Sequence, residues 1–114
     1  MADCVFCKIA AGEIPAARVY EDGEVLAFDD INPQAPVHVL IIPKTHAACG
    51  AMEITPENSA LVARCFEAAA RIAKDLGVTN GFRIVTNNGP DACQSVPHLH
   101  FHLLAGRPLE GAMG

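Results

Sequence analysis

No apolar run in this chain is long enough to cross a bilayer, and the opening residues Met1-Ala2-Asp3-Cys4-Val5-Phe6-Cys7-Lys8 lack the basic and then apolar pattern of a secretory leader. The expectation is no membrane partner and a cytoplasmic location. The chain also lacks any massed run of lysine or arginine, since eight basic side chains lie scattered against thirteen acidic ones for a formal charge of -5. Such a surface does not suit a nucleic-acid backbone, so no nucleic-acid partner is expected. A small phosphorylated ligand stays compatible, because backbone N–H groups and neutral side chains bind phosphate locally whatever the net charge. Low-complexity tracts are missing too, and with 51% hydrophobic and 18% charged residues the composition is that of an ordered globular chain. Its 114 residues suffice for one core but not two, so residues 1–114 are expected to form a single domain. Five cysteines, an odd number spread along the chain, fit reduced thiols better than a disulfide framework.

What is present orders itself into elements. Val19 to Tyr20 and Val25 to Phe28 flank Asp22-Gly23, a pair that takes positive φ readily and favours a tight hairpin. Val37-His38-Val39-Leu40-Ile41-Ile42, closed by Pro43, reads as a central strand covered on both faces. Thr55-Pro56 supplies an N-cap and a first-turn proline, and Gly77 a stop, for a helix whose Leu61, Val62, Cys65, Phe66, Ala69, Ile72, Ala73 and Leu76 form one apolar stripe. Phe82 to Thr86 reads as a further strand, followed by the turn-rich Asn87-Asn88-Gly89-Pro90-Asp91. The order predicts an α+β fold, an antiparallel sheet with one long helix. One helix covers only one face, so a second copy of the chain is expected over the other side of Val37 to Ile42, making a homodimer.

Three of the five histidines, His98, His100 and His102, fall in the short stretch Ser95 to Leu104. In an extended segment alternate side chains share a face, so the three imidazoles line one side while Leu99, Phe101 and Leu103 line the other. Neutral imidazoles at pH 7 serve proton transfer, nucleophilic attack or metal ligation. His38 interrupts an apolar strand and reads either as a core residue or as a fourth member of the group. Cys4-x-x-Cys7 reads either as a pair of ordinary thiols or as half of a metal site.

The stretch Gln94-Ser95-Val96-Pro97-His98-Leu99-His100-Phe101-His102-Leu103 resembles the signature of the histidine-triad (HIT) family. Cys4 to Ile9, Gly12 to Ala16, Phe28 to Pro36 and His38 to His46 are similar to its nucleotide-binding-protein (Hint-like) branch, so the likeness extends to about Arg107. The resemblance implies a HIT-like fold, a homodimer with two active sites, and a nucleotidyl hydrolase or transferase. Of the activities it implies, the short chain and the Phe28 to Pro36 block favour a purine nucleoside phosphoramidate hydrolase. The alternatives are a dinucleoside polyphosphate hydrolase, a nucleotide-binding or interaction module with vestigial catalysis, and a small zinc-stabilised interaction domain.

Carried over by position, His100 is the nucleophile that forms a covalent nucleotidyl intermediate, with its other ring nitrogen held by a main-chain carbonyl. His98 and His102 hold the non-bridging phosphate oxygens, and His38 lies beside them. Asn87 and Ser95 are polar contacts to the phosphate and leaving group. Asp30 accepts hydrogen bonds from the ribose hydroxyls, although its residues read equally as a solvated turn, and Phe28 and Ile31 are apolar contacts around the base. The resemblance further implies a structural Zn²⁺ on Cys4, Cys7, His46 and His98, with no catalytic metal required. Three departures from the branch stand out: Cys93 in place of a glycine, Pro97 in place of an aromatic residue with the loss of one ladder donor, and a tail after Arg107 without tryptophan.

Overall fold

The computed structural model describes residues 3–113. Its elements are α1 (Val5–Ala10), β1 (Arg18–Glu21), β2 (Val25–Asp29), β3 (Val37–Pro43), α2 (Ser59–Asp75), β4 (Arg83–Val85) and β5 (Phe101–Ala105), with short 3-10 turns at Ala51–Glu53 and Pro90–Ala92. The strands form a five-stranded antiparallel sheet in the order β1-β2-β3-β5-β4, so the fold is α+β as the sequence predicts. Period-two alternation divides the sheet into two faces. Val25, Ala27, Val39, Ile41, Phe101 and Leu103 pack on Cys65, Ala68, Ala69 and Ile72 of α2. Leu26, Phe28, Leu40 and Ile42 pack on Cys4, Phe6 and Ile9 at the start of the chain.

That second layer corrects the argument for a dimer. Leu40 and Ile42 are buried by α1 of the same chain, so no second copy is needed over this face of β3. α1 leaves no mark in the sequence pattern, because six residues are too few to show a helical period. Far below the ~12–15 residues that an isolated helix needs, it holds only by packing and by its cap, in which the Cys7 N–H donates to Cys4 Sγ at 3.4 Å.

Local chemistry accounts for two further differences. The hairpin turn works through an Asp22 carboxylate that accepts from the N–H groups of Glu24 and Val25, both at 2.8 Å, and Gly23 is not among the positive-φ residues. The long helix begins at Ser59, not at Thr55. Asn58 Oδ1 accepts from the Thr55 N–H at 2.7 Å and closes Thr55 to Asn58 into a separate turn first. Its end is as expected. Gly77 at φ +72 donates to the Lys74 carbonyl and Val78 to that of Ala73, which satisfies the last carbonyls of the helix.

Candidate active site and metal centre

The alternation at the histidines is real, although only His102 lies within β5. Leu99, Phe101, Leu103 and Ala105 enter the α2 core, while the histidines take the opposite face, where Phe6 sets its ring edge-on to His98 at 5.9 Å and to His100 at 5.0 Å. Register brings in His38, since Leu40 pairs with His102 and His38 with Leu104, placing His38 and His102 diagonally on one face. Pro97 lies in a bend ahead of β5, so the expected loss of a ladder donor does not occur there.

Backbone partners fix the tautomers of His38, His98 and His100, and through His38 that of His102, because a carbonyl only accepts and an N–H only donates. His100 Nδ1–H donates to the His98 carbonyl at 2.7 Å, which leaves its lone pair on Nε2. His38 Nδ1 accepts from the Gln34 N–H at 3.0 Å, so its proton sits on Nε2 and is donated to His102 Nδ1 at 2.9 Å. His102 therefore presents Nε2–H. A lone pair and a donor stand on adjacent rings whose centroids are 5.1 Å apart. His98 Nε2–H donates to the Pro43 carbonyl at 2.9 Å, turning the Nδ1 lone pair toward Cys4 Sγ at 3.3 Å and Cys7 Sγ at 3.6 Å.

Both nitrogens of His98 are thus engaged and the residue is fully buried, which removes it as a direct ligand of a phosphate oxygen. What it offers His100 is its main-chain carbonyl, the acceptor of the His100 Nδ1–H. Burial is the leading cause that pushes the pKa of His98 and of His100 down, and His102 falls to about 4 through burial and then the neighbouring His100 and His38. All three are neutral at pH 7.

The four ligand atoms of Cys4, Cys7, His46 and His98 lie within 4.8 Å of one another. Bond lengths of ~2.0–2.3 Å in a tetrahedron put neighbouring ligand atoms ~3.3–3.8 Å apart. The distances match, with Cys7 Sγ 3.4 Å from His46 Nδ1 beside the two His98 contacts. Two sulfurs, two nitrogens and a tautomer of His98 already set for ligation fit Zn²⁺. The second cluster, Asp30, His38 and His102, does not fit a metal so well. Gln34 leaves the proton of His38 on the very nitrogen, Nε2, that faces the other two groups, so this cluster is a hydrogen-bonded chain.

The remaining expected residues are spread over more than one surface. Asp30 does both things read for it: Oδ1 accepts from the Asn32 N–H at 2.8 Å as a turn residue, and Oδ2 lies 3.4 Å from His38 Nε2. Asn87 lines a hollow of about 190 Å³ with Gln34, His38 and His102. Ser95 lines a different cleft of about 400 Å³, with Cys4, His46 and Cys49, so the two polar residues do not meet in one hollow. Phe28 is packed on Phe6 in the core, whereas Ile31 next to Asp30 is fully exposed. A further hollow of about 580 Å³, between the end of α2 and Gly106-Arg107-Pro108, is lined by no histidine, cysteine or carboxylate and offers none of the groups the histidine face supplies.

Several supporting residues escaped the sequence reading. The Thr86 hydroxyl donates to the His100 carbonyl at 2.8 Å, and Gln94 bridges the Cys49 and Val96 carbonyls and the Gly89 N–H. Cys49 Sγ lies 3.5 Å from His46 Nε2. Gln34 and Pro43 act through their backbone, for which side-chain identity gives no signal.

A fold with this histidine face has known counterparts. The HIT domain model matches residues 11–109, and the chain belongs to the HIT family. It is 45% identical over 113 residues to the 14 kDa zinc-binding protein of Brassica juncea, covering 98% of this chain and 100% of that one. It is 44% identical over 111 residues to the adenylylsulfatase HINT1 of Arabidopsis thaliana, covering 96% of this chain and 76% of that one. Among solved structures, a HIT family hydrolase from Clostridium thermocellum superposes with a TM-score of 0.95 at 46% identity, covering 99% and 98% of the two chains. Cys4 and Cys7 lie ahead of the matched domain.

Proposed function

We propose that the protein is a purine nucleoside phosphoramidate hydrolase working through a covalent nucleotidyl-His100 intermediate. The observation that carries this reading is the pairing of a free Nε2 lone pair on His100, fixed by the His98 carbonyl, with the Nε2–H of His102 beside it. His100 Nε2 attacks the α-phosphorus and the P–N bond to the leaving amine breaks, the departing nitrogen taking a proton from solvent. Water then releases the nucleotide from His100. His102 holds a non-bridging oxygen as its charge redistributes. A neutral nucleophile and a neutral donor meet the phosphate without prior proton loss, as the lowered pKa values of both rings allow. The relatives named as a hydrolase and an adenylylsulfatase support nucleotidyl chemistry of this kind.

On the nucleotide side, Asp30 accepts from the ribose hydroxyls, exposed Ile31 gives the base an apolar surface, and Asn87 borders the phosphate hollow. Zn²⁺ on Cys4, Cys7, His46 and His98 is structural, since a closed set of four ligands leaves no position for substrate. A relative named as a zinc-binding protein supports the assignment. A homodimer belongs to the same reading, on a different surface from the one first expected. α2 packs on β1, β2 and β3, while Phe82, next in the chain to the edge strand β4, and Phe66 of α2, whose ring meets Phe101 of β5, stay about half exposed.

The test is turnover of an adenosine phosphoramidate beside a diadenosine polyphosphate, each with and without a chelator. Preference for the phosphoramidate, without any need for added metal ion, is expected. Preference for the polyphosphate would replace the substrate assignment, and no turnover of either would overturn the enzymatic reading.

A further inference from the structure

We propose that the Cys4-Cys7-His46-His98 centre positions the nucleophile, acting on His100 through the backbone of His98; this deepens the reading of His100 given above. His98 belongs to both sites at once. Its Nδ1 faces Cys4 Sγ at 3.3 Å and Cys7 Sγ at 3.6 Å, while its own main-chain carbonyl takes the Nδ1–H of His100 at 2.7 Å. The remaining freedom of the residue is small, because Nε2 is tied to the Pro43 carbonyl at 2.9 Å and the N–H to the Val96 carbonyl at 2.8 Å. An ion on Nδ1 closes the last of these constraints, and with them the direction of the carbonyl that sets the tautomer of His100.

A second route runs through α1. Phe6 lies between the two cysteines in the sequence, and its ring stands at 86° to that of His100 with centroids 5.0 Å apart. The first turn of a six-residue helix carries both sulfurs and this ring together. Holding the sulfurs therefore holds the wall against which His100 rests. Orientation of a nucleophile is worth a great deal, since ~1 Å of misplacement costs ~10²-fold in rate. The nucleotide contacts, Asp30 and Asn87, lie on other loops, so loss of the centre should slow attack while sparing binding.

The experiment compares wild type, His46→Ala and Ile9→Val, with the wild type also stripped by a chelator. Zinc content, the His100 Nδ1–H signal and its exchange with water by NMR, the Kd for AMP, and kcat are read in each. His46→Ala is expected to lose zinc, the protected His100 proton and at least ~10-fold in kcat, with the Kd for AMP within ~3-fold of wild type. Ile9→Val loosens the same segment with the centre intact and should keep both zinc and proton. A protected proton and normal kcat in zinc-free His46→Ala would overturn the inference, as would equal losses in Ile9→Val or a wild type that takes up no zinc. Should His46→Ala fail to fold, the chelated wild type decides. Loss of the proton with AMP binding retained supports positioning, whereas joint loss of both, or loss of neither, contradicts it. Because the proton signal and AMP binding need no turnover, a wild type inert toward phosphoramidates would count against the proposed function alone.

Discussion

Four histidines, at 38, 98, 100 and 102, are each held in one tautomer by a chain of groups that begins at the backbone, and this assigns their tasks more sharply than their identities do. The triad and His38 were legible in the sequence from alternation and resemblance. The engagement of both His98 nitrogens was not, because it depends on a carbonyl 55 residues away in the chain. A consequence for pH follows. The pKa of His102 is lowered from 6.5 to about 4 in the folded protein, so between those values the unfolded chain binds a proton that the native state does not. Stability should be full above about pH 6.5 and fall as pH drops toward about 4, and His102→Gln should remove part of that slope. Urea midpoints at about pH 7, 5.5 and 4.5 check this, and a wild-type midpoint constant across the window contradicts it. Cys93 makes a second case. It occupies the left-handed region at φ +59, where glycine is free and an L side chain is strained by ~1 kcal/mol or more. Cys93→Gly should raise Tm by about 4 °C in a thermal melt, and an unchanged or lower Tm would mean that the local contacts of the side chain offset the strain.

At the scale of elements, the hairpin, β3, β4 and the end of α2 were legible, since each rests on local chemistry such as alternation, an Asp-Gly turn or a C-terminal glycine. The elements that differ from the sequence pattern differ for two reasons. α1 needs the distant sheet face supplied by Leu26, Phe28, Leu40 and Ile42, whereas the start of α2 is delayed locally by the Asn58 side chain. Dependence on one packed face and two sulfurs makes α1 the element most sensitive to the metal centre. Chelation should expose the bond after Lys8 to trypsin while the bonds after Arg64 and Arg71, inside α2, remain protected in the native fold. Mass spectrometry of a timed digest reads the order of cleavage. Equal protection of Lys8 with and without chelator would show that packing alone holds the helix.

For the whole molecule, the sheet is covered on one face by α2 and on the other by α1, yet the β4 edge and the half-exposed Phe66 and Phe82 leave an apolar border. A second copy there would cover both the edge and the aromatic groups. Sedimentation at micromolar concentration should give twice the 12.0 kDa chain mass, and a monomer would exclude an obligate dimer. The bond formed at His100 can be caught by quenching the enzyme during turnover of an adenosine phosphoramidate and mapping the digest by mass spectrometry. One adenylyl group on the His100 nitrogen is predicted, absent in His100→Ala, which should still bind AMP. Full turnover by His100→Ala, or an adenylyl group on another residue, would contradict the mechanism.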